Sequence, residues 1–148
     1  MFPKEFAPLG IFLPLLIFSL MKQLWYPFVW FLVILALCAT PGKDIPHISF
    51  LELLAFDKWV HAGIFFVLVL LMIRGFRLQN GGWLFVNAFL ISTVFSIAYG
   101  GVLEILQGAV FEDRSADIYD FIANSFGALV GVVLYRKLST RIKFLRVP

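Results

Sequence analysis

Charged residues are scarce in this chain. Its 148 residues include 12 lysines and arginines and 9 aspartates and glutamates, so only 14% are charged, while 61% are hydrophobic. A soluble domain has about a quarter of its residues charged and about half apolar. We therefore interpret the chain as an integral membrane protein with one domain. The net charge of +3 is modest and the basic residues lie near the ends of apolar runs, so nucleic-acid binding is not predicted.

Cysteine and the common catalytic motifs are nearly absent as well. Cys38 is the only cysteine, which excludes an intrachain disulfide and a cysteine metal cluster. It lies in the apolar run WFLVILALCAT, and we interpret it as a small buried hydrophobe. The sequence has no HExxH motif, no glycine-rich phosphate loop and no serine at a recognisable spacing from a histidine and an acid. No catalytic residue, metal or cofactor is predicted.

Long apolar runs are abundant, and the first two predict transmembrane helices. The first runs from about Leu24 to Thr40 and the second from Trp59 to Ile73. A span needs about 20 residues, so the second run is too short as it stands. We expect its helix to begin earlier and to carry Asp57, Lys58 and His61 in its outermost turns.

Two further spans complete the predicted bundle. The third runs from Trp83 to about Gln107, with a bend expected at Gly100–Gly101. The fourth runs from about Asp117 to Tyr135, and its Ala123, Gly127 and Gly131 form a stripe of small residues for close helix packing. The predicted fold class is all-α, a membrane bundle of four transmembrane helices.

The segments outside these spans are less regular. Residues 1–21 form a hydrophobic extension broken by prolines. The sequence leaves four interpretations of it open: an interfacial segment, an extension of the next helix, a short extra span, or a mis-assigned start. We assign residues 22–137 to the transmembrane domain and 138–148 to a basic tail. Between the first two spans, Ser49–Phe56 carries a capping-box pattern that predicts an amphipathic helix at the interface.

Basic residues are concentrated on one side of the predicted membrane. Nine of the twelve fall on the side that holds both ends of the four-helix core, and the positive-inside rule places that side in the cytoplasm. Eight of the nine acids fall on the opposite side. We therefore expect cytoplasmic chain ends and an outward-facing acidic side.

Polar residues recur at helical spacing around the third and fourth spans. Asp117, Asp120 and Asn124 share one face of the fourth helix. Because polar groups inside a membrane are costly, they usually have a function. The candidate ligand-binding residues are Asp57, Lys58, His61, Glu104, Gln107, Arg114, Asp117, Asp120 and Asn124. We expect side chains of the second span to contact those around the fourth.

Each of these residues also has a structural interpretation. Asp57 either orients His61, four residues later, or caps its helix, and Lys58 could extend to lipid phosphates. Arg114 could bind an anion with a bidentate fork, but pairing with a nearby acid is slightly favoured. Glu104 has no capping explanation, so with Asn124 it best indicates a polar interior. A metal site from His61, Glu104, Asp117 and Asp120 is a minor alternative, because one histidine with carboxylates suits zinc poorly and a harder ion better.

Three separated motifs follow the order and spacing of a known family: Asp57-Lys58-x-x-His61, Glu104-x-x-Gln107, and Arg114-x-x-Asp117-x-x-Asp120-x-x-x-Asn124-x-x-Gly127-x-x-x-Gly131. Over residues 22–137 the chain resembles the VanZ-like family. The resemblance implies a small four-helix protein of the bacterial cytoplasmic membrane. The family is named after a protein that gives low-level resistance to the glycopeptide teicoplanin, and the resemblance implies no reaction.

Three functional classes follow. The leading hypothesis is a non-enzymatic envelope protein that binds an amphiphile at the outer leaflet, such as a lipid-linked cell-wall intermediate or a lipoglycopeptide. The alternatives are an intramembrane enzyme acting on a lipid headgroup, with His61 and a carboxylate as acid and base, and an accessory subunit whose polar cluster fixes helix register. Membrane lipids are expected partners, and the oligomeric state is left open.

Overall fold

A computed structural model of the chain describes residues 9–41, 56–79 and 82–147. Within these ranges the chain is helical and contains no strand. The elements are α1 (Leu9–Cys38), α2 (Phe56–Arg77), α3 (Gly82–Val86), α4 (Ala88–Ala109), α5 (Ile118–Arg141) and a 3₁₀ turn (Lys143–Leu145). Helices α2, α4 and α5 are long and apolar enough to cross a membrane, and α1 contributes a shorter apolar stretch, Lys22–Cys38. The predicted all-α four-helix membrane fold is confirmed.

Helix α2 begins earlier than its apolar run, as its short length predicted. It starts at Phe56, so that Asp57, Lys58 and His61 lie in its first two turns. Helix α5 extends past the expected end at Tyr135 to Arg141. No glycine or proline interrupts that extension, and basic residues at a helix C-terminus complement its dipole.

The third predicted span is two helices, so the single helix expected from Trp83 is wrong. The interruption lies at Asn87, whose φ of −97° and ψ of 13° are not helical. Its side-chain Nδ2 donates to the carbonyl oxygen of Trp83 at 2.9 Å, and its backbone N–H donates to the same oxygen at 3.0 Å. A side chain that competes for a backbone acceptor in this way weakens regular helix. A bend was expected at Gly100–Gly101, and helix α4 is continuous through both glycines.

The N-terminal segment is part of the first helix. Residues 9–38 form one helix, so the part of residues 6–20 that the structure describes continues directly into the first span. The amphipathic helix expected at Ser49–Phe56 lies outside the described residues except for Phe56, which begins α2.

Helix α2 lies at the centre of the bundle and packs against α1, α4 and α5. It contributes Phe65 and Leu68 to a core cluster shared with α1 and α4, and Val69 and Ile73 to a second cluster shared with α5. Side-chain contacts join the starts of α2 and α5, and others join the ends of α1 and α4. These four helix ends form one end of the bundle, which we call the acidic end, and the opposite end is the basic end.

Helices α2 and α5 touch backbone to backbone. A Cβ atom added to Gly127 would lie 2.0 Å from the carbonyl oxygen of Ala62, and one added to Gly131 would lie 2.3 Å from Cγ1 of Val69. Ala123, the third member of the small-residue stripe, is partly buried. Only a residue without a side chain allows this approach at Gly127, and the approach brings the first turns of the two helices together.

The basic end is closed by the chain after α5. Nε of Arg74 donates to the carbonyl oxygen of Phe144, and its guanidinium lies 4.1 Å from the centre of the Phe144 ring. Tyr135 donates its hydroxyl to the carbonyl oxygen of Leu145 at 3.1 Å, and the Leu145 side chain is buried. Part of the predicted basic tail therefore packs onto the bundle.

Candidate functional site

Lys58 lies at the centre of the acidic end. Its Nζ is 2.6 Å from Oδ2 of Asp117, 2.5 Å from Oδ1 of Asp120 and 2.9 Å from Oδ2 of Asp57. Two of these carboxylates belong to the start of α5, about sixty positions away in sequence. The expected contact between the second span and the fourth is therefore observed. One ammonium group is shared by three carboxylates, so it holds the starts of α2 and α5 together by charge as well as by packing.

His61 lies one turn deeper and contacts α5 through both ring nitrogens. Nδ1 is 3.1 Å from Oδ1 of Asn124, and Nε2 is 3.6 Å from Oδ2 of Asp120. The Asn124 side chain is buried, with only 1% of the residue exposed. Because an amide oxygen only accepts hydrogen bonds, the contact with Asn124 is a hydrogen bond when Nδ1 carries the proton, and Nε2 then faces the carboxylate of Asp120. Asp57, which shares a helix face with His61, pairs with Lys58 instead.

Glu104 enters the site from α4. The residue is 7% exposed, and its Oε2 accepts a hydrogen bond from the backbone N–H of Asp117 at 3.0 Å. Its other oxygen, Oε1, is buried and has no hydrogen-bond partner among the described residues. A buried carboxylate oxygen without a hydrogen-bond partner is energetically costly.

Asp117 caps α5 and also forms an ion pair with Lys58 of α2. Its side chain accepts a hydrogen bond from the backbone N–H of Tyr119 at 2.8 Å. The hydrogen bond from Lys58, and then the one from Tyr119, hold the pKa of Asp117 below its usual value. Because the folded-state pKa is lowered, the stabilisation is present above the ordinary pKa of an aspartate. It is lost as the pH falls through the folded-state pKa.

Gln107 and Arg114 lie at the margin of the site. Gln107 donates through Nε2 to the carbonyl oxygen of Cys38 at 3.3 Å, which links α4 to α1. Arg114 lies in the segment between α4 and α5, and its Nε is buried without a hydrogen-bond partner. Among the described residues it forms no ion pair, so the pairing with a nearby acid that was slightly favoured from the sequence is not observed there.

Gly100 contributes to the site in a way that was not predicted. A Cβ atom added to it would lie 3.2 Å from Cβ of Asn124 and 3.4 Å from the ring of Phe65. The small residue thus allows Asn124 to lie close against α4, whereas the sequence interpretation assigned it to a bend. Its position four residues before Glu104 was the available signal, because that spacing puts both residues on one helix face.

Three side chains of the site could hold a metal ion. One ligand atom each from His61, Glu104 and Asp120 lie within 4.8 Å of one another. Asp117, the fourth residue of the metal set considered from the sequence, is engaged instead with Lys58 and the start of α5. The remaining chemistry of the cluster is that of a carboxylate-rich site with one lysine and one imidazole.

Comparison with known proteins identifies the family. A family model described as VanZ/LLP1 matches residues 23–142, which include all the candidate residues of the acidic end. Neither the curated proteins nor the solved structures contain a match to the chain. The resemblance drawn from the three spaced motifs is confirmed. The chain belongs to the VanZ/LLP1 family.

Proposed function

We propose that this protein binds an amphiphile at its acidic end, on the outer leaflet of the bacterial cytoplasmic membrane, without converting it chemically. The observation that carries the proposal is the convergence of Lys58, His61, Glu104, Asp120 and Asn124 from three helices at one end of the bundle. Polar groups assembled at the end of a membrane bundle are suited to a ligand whose polar part lies at the membrane boundary.

The aromatic residues beside the cluster support a headgroup-level location. Trp59 follows Lys58, Tyr119 precedes Asp120, and both aromatic side chains are 68% exposed in the isolated chain. Tryptophan and tyrosine are enriched where a membrane protein passes from hydrocarbon to headgroups. The acidic end therefore fits a ligand with its apolar part in the bilayer and its polar part against these side chains.

Arg114 provides a candidate contact for an anionic group of the ligand. Its guanidinium is not paired with a carboxylate of the described residues, although Asp117 is three positions away. An unpaired guanidinium can hold a phosphate or carboxylate with two parallel hydrogen bonds. Lys58 is a weaker candidate, because three carboxylates already surround it. A lipid-linked cell-wall intermediate or an acylated glycopeptide offers such anionic groups.

The orientation is tested by cysteine labelling of intact cells. We expect Glu112→Cys, at the exposed acidic end, to react with a membrane-impermeant thiol reagent, and Lys137→Cys, at the exposed basic end, to react only after lysis. The reason is the positive-inside rule applied to the two ends of the bundle. The unmodified chain is the control, because its Cys38 is buried. The reverse labelling pattern would contradict the proposed orientation.

The function is tested by drug tolerance, because the family is linked to teicoplanin resistance. In a susceptible Gram-positive host, we expect expression to raise the inhibitory concentration of an acylated glycopeptide more than that of a matched non-acylated one. The acyl tail keeps the drug at the membrane, where the acidic end is expected to lie. Arg114→Ala should remove the effect, and Lys143→Ala, at the basic end, should retain it, with protein levels compared by blotting.

Two outcomes would contradict this proposal. If expression at normal protein levels raises neither inhibitory concentration, or raises both by the same factor, the proposed effect on acylated glycopeptides is contradicted. Turnover of a lipid co-purifying with the protein, followed by mass spectrometry, would favour the enzymatic alternative. If an anionic ligand is found, Arg114→Ala should weaken its binding by about tenfold or more, because a charge-assisted hydrogen bond contributes about 1.5–3 kcal/mol.

A further inference from the structure

Three side chains at the acidic end each use one polar atom in a hydrogen bond within the protein and have a second polar atom without a hydrogen bond among the described residues. His61 directs Nδ1 to Asn124, Asp120 directs Oδ1 to Lys58, and Glu104 directs Oε2 to the backbone N–H of Asp117. The atoms that are left are Nε2 of His61, Oδ2 of Asp120 and Oε1 of Glu104. Metal-binding residues are commonly held in this way, with the non-ligating atom fixed by a neighbouring group.

The three residues converge. One ligand atom from each of them lies within 4.8 Å of the other two, and Nε2 of His61 is 3.6 Å from Oδ2 of Asp120. That separation is too long for a hydrogen bond. It is compatible with two atoms bonded to one metal ion at about 2.0–2.2 Å each. The three residues come from α2, α4 and α5, so a shared ion would join three helices.

Oε1 of Glu104 is a second observation that favours a bound cation. The residue is more than nine-tenths buried, and its Oε1 has no partner among the described residues. Lys58 cannot serve all the carboxylates, because its ammonium group already contacts those of Asp57, Asp117 and Asp120. A carboxylate buried without a positive partner is strongly unfavourable. A cation between Glu104 and Asp120 would remove this cost.

We propose that His61, Glu104 and Asp120 bind one divalent cation, with Mn²⁺ as the best match to a set of one imidazole and two carboxylates. Zn²⁺ accepts the same donor types and should also bind. Mg²⁺ should bind more weakly, because it favours oxygen ligands and retains its waters. Three protein donors leave coordination positions for water or for an oxygen of a ligand. The cation site does not depend on the proposed amphiphile.

The test uses the full chain in detergent, treated with a chelator, desalted and titrated with Mn²⁺ alone. We expect one Mn²⁺ per chain, measured by elemental analysis after desalting and by loss of the free-ion signal in electron paramagnetic resonance. Bound Mn²⁺ should also raise the unfolding temperature, because it binds the folded state only. A wild-type chain that retains no Mn²⁺ overturns the proposal, whatever the variants do.

Variants then distinguish a specific cation site from nonspecific binding of cations to acidic residues. Glu104→Gln and Asp120→Asn keep the side-chain shape and should each weaken Mn²⁺ binding by at least about 100-fold. Asn124→Ala, which removes the partner of Nδ1, should weaken it by about 10–100-fold. Glu112→Gln is the matched control, because Glu112 is an exposed acid at the same end of the bundle and does not belong to the donor set. An equal loss in Glu112→Gln and Glu104→Gln overturns the site. If Glu104→Gln does not fold, Asp120→Asn decides.

Discussion

Gly127→Ala should lower the free energy of unfolding of the bundle by about 3 kcal/mol, at the upper end of the usual cost of overpacking. The added Cβ would lie 2.0 Å from the carbonyl oxygen of Ala62 and 2.7 Å from its carbonyl carbon. Both atoms are backbone of α2, so no side-chain rotation can relieve the overlap. The helices must move apart, and this would also separate Lys58 from Asp120, because that contact depends on the same approach.

Gly63→Ala is the matched control for this prediction. Gly63 lies in α2, next to Ala62, and a Cβ added there meets no atom within 4 Å. Replacing a helical glycine by alanine at an open position stabilises a helix by about 0.5–1 kcal/mol. The two substitutions should therefore shift the unfolding temperature in detergent in opposite directions. Equal shifts would show that α2 and α5 are not in backbone contact at Gly127.

The sequence was sufficient to predict the small-residue stripe but not its partner. Gly127 and Gly131 lie at the spacing of a helix-packing face, and this pattern is visible in one helix alone. Which helix packs there is a question of tertiary structure, because α1, α2 and α4 all contain small or flexible residues. The polar residues on the same side of the predicted membrane indicated contact between the second and fourth spans, because a polar helix face in a membrane needs partners. The sequence could not show that Ala62 would be the residue at the crossing.

The sequence predicted which residues form the candidate site but not which of these residues contact one another. Charge and helical spacing identified Lys58, His61, Glu104 and Asp120, because ionisable groups are rare in an apolar chain. Sequence spacing alone paired Asp57 with His61, since contacts within one helix are the only ones it displays. The structure pairs His61 with Asn124 and Asp120 of α5. Contacts between helices depend on their rotation about their axes, which hydrophobic patterning fixes poorly in membranes.

The third span is interrupted because the Asn87 side chain competes with the backbone for a carbonyl acceptor. Asn87 lies within a run whose hydropathy predicts one continuous helix, and hydropathy carries no information about a side chain that bonds to a backbone carbonyl. The Asn87 amide does so at Trp83. Similarly, residues 138–148 were interpreted as a tail because of their positive charge. The contacts of Arg74 in α2 with the carbonyl oxygen and ring of Phe144 show that part of this segment packs onto the bundle.

Lys58→Met should be the most destabilising substitution among the charged residues of the acidic end, at about 2 kcal/mol near neutral pH. Methionine retains the apolar stem but removes the ammonium group that Asp57, Asp117 and Asp120 share. Removing one partner of a fully buried pair costs about 3–5 kcal/mol. The expected loss is smaller here because the side chains of Lys58 and Asp117 are 27% and 36% accessible. Lys137→Met, at an exposed basic-end position, is the control and should change the unfolding temperature little.

A second substitution and a pH series identify the cause of that loss. Asp120→Asn added to Lys58→Met should restore part of the stability, because it removes one of the repelling carboxylates, whereas Asp120→Asn alone should destabilise. Since Lys58 holds the pKa of Asp117 below its usual value, the ion-pair contribution is present above about pH 4 and is lost as the pH falls through the lowered folded-state pKa. The unfolding temperatures of wild type and Lys58→Met should therefore converge in acid. A difference that stays constant from neutral pH to pH values below the lowered pKa would mean that Lys58 stabilises the bundle by packing of its stem and not by its charge.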